Sequence, residues 1–381
     1  MSVMKIAFIG QKGIPAKSGG VETHVAHLAA RLVSLGHDVT VYARPRYSDP
    51  KVRSWKGVHV ISLPSIPTKH LDAISHTAMA TMHALFCGYD VIHYQSIGPS
   101  VLSIIPKLLL RKTVIISTFH SLDYVHGKWG TFARACLRLA ERLTCAIPTR
   151  TITVSRGMAA YAKKRYGRDI TYIPNGAEAV TAASTDMLGA FGLKEKRYVL
   201  SVARLVSHKG IHTLIRAFLE LEDTGKLPNN FKLAIVGTHA DTPGYEHHLR
   251  KMSEGRDSVL FLGEQSGEAL AELFTNAAMF VQPSEDEGLS IALLEAMSYG
   301  LPIVASRISG NEEALGDAGA YFEPSEVDGL KAQMAKLLNR QDRMLEYGNS
   351  AKTRATEIYG WEAIAKQTAA LYEREVAHIR N

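Results

Sequence analysis

The chain has 381 residues, 46% of them apolar and 21% charged, with three cysteines and a formal net charge of +7. That length exceeds the size at which a single core stops growing, so two domains of ordinary globular composition are expected. Cys87, Cys136 and Cys145 have no CxxC spacing, which argues against a disulfide framework and for reduced thiols in a cytoplasmic protein.

Residues 1–10 form an apolar run too short and too quickly broken for a signal peptide, and they read as a first buried strand. No window supplies the ~20 uninterrupted apolar residues of a membrane span; residues 102–110 are interrupted by Pro106 and Lys107. The charge is uneven. Residues 1–185 hold 23 Lys and Arg against 9 Asp and Glu, and the remainder 21 against 28. The first half therefore points to an anionic partner, either a membrane surface or a phosphate-bearing acceptor. No nucleic-acid motif or aromatic stacking pattern accompanies the charge, so no nucleic acid is expected.

In chain order, strand-like runs lie at 5–9, 38–42, 58–63, 90–94, 114–118 and 151–154, then at 198–203, 232–236, 259–262, 279–282 and 302–305. Amphipathic stretches at 20–35, 211–221, 268–276 and 328–338 lie between them, and a last helix runs from Trp361 to about Arg380 after Tyr359-Gly360. This alternation predicts an α/β fold of two doubly wound parallel sheets, with ligands beyond the carboxyl ends of the strands. The linker is expected in the small-residue stretch 180–184.

Four segments carry chemistry. The first βα loop, 10–22, is not GxGxxG, but Gly19 and Gly20 open a helix whose backbone N–H groups can approach a phosphate. His120 ends a strand and so faces a ligand cleft, with Asp123 and His126 nearby to orient a hydroxyl or cap a helix. Arg204 and Lys209 follow the first strand of the second half, where a forked guanidinium and a point ammonium would neutralise a departing diphosphate. The stretch 283–306 runs from an acidic loop through a helix entered near Gly288–Ser290, past Gly300 and Pro302, into a strand. It places Glu287 at the mouth of that helix and Glu295 in its second turn. Carboxylates beside a helix start, itself an anion site, suit a ligand bearing both hydroxyls and phosphates. No nucleophile motif, P-loop or Cys/His metal cluster is present.

Together these residues resemble the family-4 retaining glycosyltransferases of the GT-B fold, over essentially the whole chain. PSEDEGLSIALLEAMSYGLPIVAS carries the most specific part, Glu287-x7-Glu295. ARLVSHKG at 203–210, IPNG at 173–176, LAIVG at 233–237 and VLFLGE at 259–264 support it. The opening run from Lys5 to Arg44 is similar to bacterial, rhamnosyltransferase-like members that build cell-surface polysaccharides.

The resemblance implies two Rossmann-like domains facing a central cleft. Residues 1–183 would form the acceptor side and 184–360 the nucleotide-sugar donor side, with 361–381 a helix crossing back to the first domain. Arg204 and Lys209 would hold the donor diphosphate. Glu287 would bind sugar hydroxyls, with the N–H groups of Gly288, Leu289 and Ser290, and Glu295 would bind the ribose. Gly19 and Gly20 would close over the phosphates, and His120 would support the anomeric centre or orient a hydroxyl. Transfer would be retaining, with the leaving phosphate accepting the acceptor's proton, and no metal or other cofactor is expected.

The acceptor would be a polysaccharide or lipid-linked glycan. The basic stretch 132–150, with Arg134, Arg138 and Arg142, is a candidate for peripheral contact with the inner face of the cell membrane. A GT-B nucleotide-sugar epimerase and a non-catalytic nucleotide-sugar-binding protein are the alternatives. The first would need further catalytic carboxylates, and the intact set of Arg204, Lys209, Glu287 and Glu295 speaks against the second.

Overall fold

The computed structural model describes residues 3–16, 19–68, 71–121, 131–180, 186–239 and 243–380, with only the backbone of 131–136 and 243. The chain divides into two compact units, Met1–Asn175 with Trp361–Asn381, and Gly176–Gly360. The division falls ahead of the expected 183/184 boundary; residues 181–185 lie outside the described part.

Among the described residues the first unit holds eight strands: β1 Lys5–Ile9, β2 Asp38–Ala43, β3 Ser54–Trp55, β4 Val58–Ser62, β5 Val91–Gln95, β6 Val114–Phe119, β7 Arg150–Thr153 and β8 Thr171–Tyr172. They lie in the order β3-β4-β2-β1-β5-β6-β7-β8. All neighbours are parallel except β3 and β4, an antiparallel pair joined by Lys56 and Gly57, both at positive φ as a two-residue hairpin requires. The apolar runs KIAFI and VIISTF are buried on both faces, as a covered parallel sheet demands.

On one face the helix Gly20–Ser34 buries Val25, Leu28, Ala29 and Leu32, an i, i+3, i+4, i+7 stripe. It shares a core there with Trp361, Ile364, Ala365 and Tyr372 of the terminal helix Trp361–Arg380. On the other face Ala80 and Ala84 of the helix Asp72–Ala84 pack with Tyr42, Ile92 and Tyr94. The chain reverses its direction of travel across the sheet between β1 and β5, and that switch point opens a crevice at the carboxyl edge.

The second unit holds β9 Tyr198–Val202, β10 Lys232–Val236, β11 Val259–Phe261, β12 Met279–Gln282, β13 Ile303–Ser306 and β14 Ala320–Phe322. Their order is β11-β10-β9-β12-β13-β14, all parallel, so its switch point lies between β9 and β12. The helices Ile211–Asp223 and Val327–Leu338 close one face with Leu214, Phe218, Leu330 and Met334. Among the described residues no helix is long and apolar enough to cross a membrane.

Candidate active site

At the switch point of the second unit, the loop after β9 and the loop after β12 are locked together by their backbones. The amide of Glu285 donates to the carbonyl of His208 at 2.8 Å. Gly210, at φ +66°, lies so close to Pro283 that a Cβ would stand 1.9 Å from the Pro283 carbonyl oxygen. Only glycine accepts both that contact and that backbone geometry. From below, Gly310 lets the start of the helix Ser309–Leu315 approach the carbonyls of Glu287 and Gly288, where a Cβ would sit 2.5 Å from each oxygen.

This framework fixes Glu287. Its Oε1 accepts from Gln282 Nε2 at 2.8 Å, from Ser284 Oγ at 2.9 Å and from the ammonium of Lys209. Lys209 and Glu287 are only 14% and 10% exposed, so their attraction is less screened than that of a surface pair. Oε2 takes part in none of these bonds and keeps its capacity to accept. The sequence reading treats Lys209 and Glu287 as separate contacts, but they form one unit. Arg204 stands exposed just past β9, and among the described residues it meets no carboxylate.

The helix Ile291–Ser298 is entered at Ser290, within the expected stretch 288–290. Ser290 is its N-cap, with its Oγ accepting from Leu293 N at 3.4 Å, while Leu289 is buried beside it. Ile291, Leu293, Leu294 and Met297 anchor the helix in the core, which orients Glu295. Among the described residues no donor meets the Glu295 carboxyl, and burial pushes it up from 4.5 to about 7. A carboxyl without a partner at a site edge is suited to accept ligand hydroxyls.

Glu285, Asp286 and Glu287 make up the acidic loop ahead of the helix. Glu285 accepts from Ser325 Oγ at 2.7 Å, and among the described residues no three His, Cys, Asp or Glu side chains are arranged to hold a metal ion.

In the first unit His120 follows β6 directly, and its Nε2–H donates to Gln95 Oε1 at 2.8 Å, at the end of β5. The ring of His24 meets it edge-on, with centroids 5.0 Å apart, and His24 Nδ1 lies 3.0 Å from Asn175 Oδ1. Burial, reinforced by the neighbouring His24 and His93, holds His120 well below the usual histidine range. Burial takes His24 down to about 4. His120 is therefore a neutral imidazole, so it can orient a hydroxyl but carries no positive charge at neutral pH.

At the first βα loop, Gly19 has φ +99° and precedes the helix as expected. A carboxylate already stands there, however. A Cβ on Gly19 would lie 2.2 Å from Glu22 Oε2, and Glu22 Oε1 accepts from the Lys12 amide at 3.0 Å. A buried acid at this helix start favours hydroxyls over phosphate as its ligand. Asp123, His126 and the side chain of Arg134 lie outside the described residues. Arg138 and Arg142 sit on the helix Thr131–Ala146.

Sequence reasoning missed Gln282, Ser284, Gly310, Gln95 and His24. Gln282 and Gln95 share a signal, a buried polar residue ending an apolar strand. Gly310 has none, because its role is visible only in the close approach of two loops.

Residues 189–354 match the family Glycosyl transferases group 1, and residues 18–179 match Glycosyltransferase Family 4. The MMP alpha-(1->4)-mannosyltransferase of Mycolicibacterium hassiacum is 24% identical, over 99% of either chain. The sucrose-phosphate synthase of Thermosynechococcus elongatus superposes with a TM-score of 0.84 at 22% identity, covering 98% of this chain and 100% of that one. HepE of Anabaena, solved with UDP-glucose, gives 0.80 at 20% identity over 97% and 100%. Both solved structures have the GT-B fold, and the family matches take in both units. The chain belongs to the group 1, family 4 glycosyltransferases and has the GT-B fold.

Proposed function

We propose that this glycosyltransferase takes its sugar from a nucleotide diphosphate sugar, retains the anomeric configuration, and delivers the sugar to a polysaccharide or lipid-linked glycan. The carrying observation is the pair of differently treated carboxylates around one helix start. Glu287 is tied through one oxygen to Lys209, while Glu295 has no donor among the described residues. Lys209 and Arg204 would neutralise the diphosphate, Glu287 would take sugar hydroxyls through Oε2, and Glu295 would take the ribose.

Rate would come from positioning and from stabilising the departing diphosphate, whose oxygen would accept the acceptor's proton. The two cations supply the charge that a metal would otherwise provide, so chelators should leave turnover unchanged. His120, neutral and held by Gln95, would orient a hydroxyl of the donor sugar. HepE was crystallised with UDP-glucose, which supports a nucleotide-sugar donor here. Contact with the inner face of the membrane through Arg138 and Arg142 belongs to the same proposal. Co-sedimentation with anionic liposomes should weaken when the two are neutralised.

The test is incubation with UDP, GDP, dTDP and ADP sugars and lipid-linked acceptors. Release of nucleoside diphosphate with glycosylated product is expected. Interconversion of free nucleotide sugars without transfer would replace this reading with an epimerase.

A further inference from the structure

The excess of cations in the first half of the chain has a focus. Residues 44–56, which follow β2, hold five Lys and Arg and a single acid, Asp49. Asp49 is exposed, and its Oδ1 accepts from the Lys51 amide of its own loop at 2.9 Å. This loop is joined to the one after β1. The Arg44 amide donates to the Lys12 carbonyl at 2.7 Å, and Ser48 Oγ donates to the Ile14 carbonyl at 2.8 Å. Gly13 makes the fit possible, since a Cβ there would stand 2.8 Å from that of Ser48.

Arg44 is used up in holding the frame. Its guanidinium bonds Asp72 at 2.8 Å and the Gly10 carbonyl at 2.9 Å, and the residue is only 6% exposed. Lys12 and Arg46 are different. Both flank the ring of Tyr47, at 5.0 and 5.9 Å from its centroid, and among the described residues neither meets a carboxylate. Two uncompensated cations thus stand on a fixed frame at the carboxyl edge of β1 and β2, where α/β sheets bind ligands.

We propose that Lys12, Arg46 and Tyr47 form a subsite for the phosphate of a phosphate-bearing acceptor. The inference rests on the transferase reading above and adds the acceptor's chemical class. A phosphate monoester carries about −1.5 to −2 charges at pH 7. Arg46 would take two of its oxygens in a fork, Lys12 would supply a point charge, and the Tyr47 ring would offer an apolar face to the adjoining sugar or chain. Glu22, bonded to the Lys12 amide, would accept hydroxyls on the same acceptor. Its charge would keep the phosphate on the Lys12–Arg46 side. The chemistry is shared by a soluble sugar phosphate and a lipid phosphate.

The experiment compares the full chain with a Lys12→Gln, Arg46→Gln double variant, both saturated with whichever of UDP, GDP, dTDP or ADP binds best, so that the donor site is blocked. One arm titrates glucose 1-phosphate against glucose. The other measures co-sedimentation with phosphatidylcholine vesicles with and without a polyprenyl phosphate. Phosphate-dependent binding in either arm, at least tenfold weaker in the variant, is expected, and the arm that responds identifies the source. Absence of phosphate-dependent binding in both arms, or equal binding by the variant, overturns the subsite. Failure of every nucleoside diphosphate to bind the unaltered chain would instead sink the donor reading, and the two arms, run without nucleotide, would still decide the subsite. The variant's nucleotide affinity, expected to be unchanged, certifies that it is folded.

Discussion

At the carboxyl edge of the second unit's sheet a half-buried cation and carboxylate, Lys209 and Glu287, face each other on interlocked loops. At the corresponding edge of the first unit stands His120, kept neutral by burial and held by Gln95, with a second neutral histidine against its ring. The two sheets share one winding, with a switch point beside the first strand of each. What differs is the side chain that ends each strand and the loop that follows it. A common topology supplies only the place; charge and desolvation set what chemistry each edge can do.

The largest effect should come from breaking the charged edge. Glu287→Ala removes the acceptor of three donors and leaves Lys209 uncompensated. Turnover should fall on the order of 10³-fold, with an unchanged far-ultraviolet circular dichroism spectrum; full activity in that variant would contradict the assignment. His120→Ala should lower kcat by about 10²-fold. The shape of the pH–rate profile above pH 6.5 should not change, because burial holds the imidazole neutral there; loss of an ionisation in that range would show that it works as a cation. Gly210→Ala tests the frame rather than the charges. It should destabilise by about 1–3 kcal/mol in chemical denaturation and lower kcat without altering the pH profile.

The smallest effect is also the most specific. Glu295 is raised by burial from 4.5 to about 7, so its ionised form is disfavoured in the unliganded fold. Its contribution to stability is therefore lost as pH rises from 4.5 through about 7. Glu295→Gln should raise the thermal midpoint of the free protein at pH 8 and leave it unchanged at pH 4. If the anion accepts ribose hydroxyls, nucleotide affinity should weaken as pH falls below about 7, approaching tenfold per pH unit. Glu295→Gln should flatten that dependence, as titration calorimetry would show.

Much of this was legible from residue types and spacing. The apolar strands came through because parallel strands buried on both faces read as continuous Val, Ile and Leu runs, and Lys5–Ile9, Lys232–Val236 and Met279–Gln282 fall as expected. The strands missed are Ser54–Trp55, Thr171–Tyr172 and Ala320–Phe322, all at sheet edges and too short to show a period. Glu287 and Glu295 were visible because their helix is bounded by clear stop signals, Gly300 and Pro302. The pairing of Lys209 with Glu287 was not, since the two lie far apart in sequence and meet only where Gly210 lets the loops close. Nor was the carboxylate of Glu22 against Gly19.

The central claim is that the two carboxylates grip opposite ends of one donor. It is tested most directly by calorimetric affinities for a nucleoside diphosphate and for the matching nucleotide sugar, in the unaltered chain, Glu287→Gln and Glu295→Gln. Glu295→Gln should weaken both ligands alike, and Glu287→Gln should weaken only the one that carries the sugar. Equal loss of both ligands in Glu287→Gln, or no loss in either variant, would contradict the account.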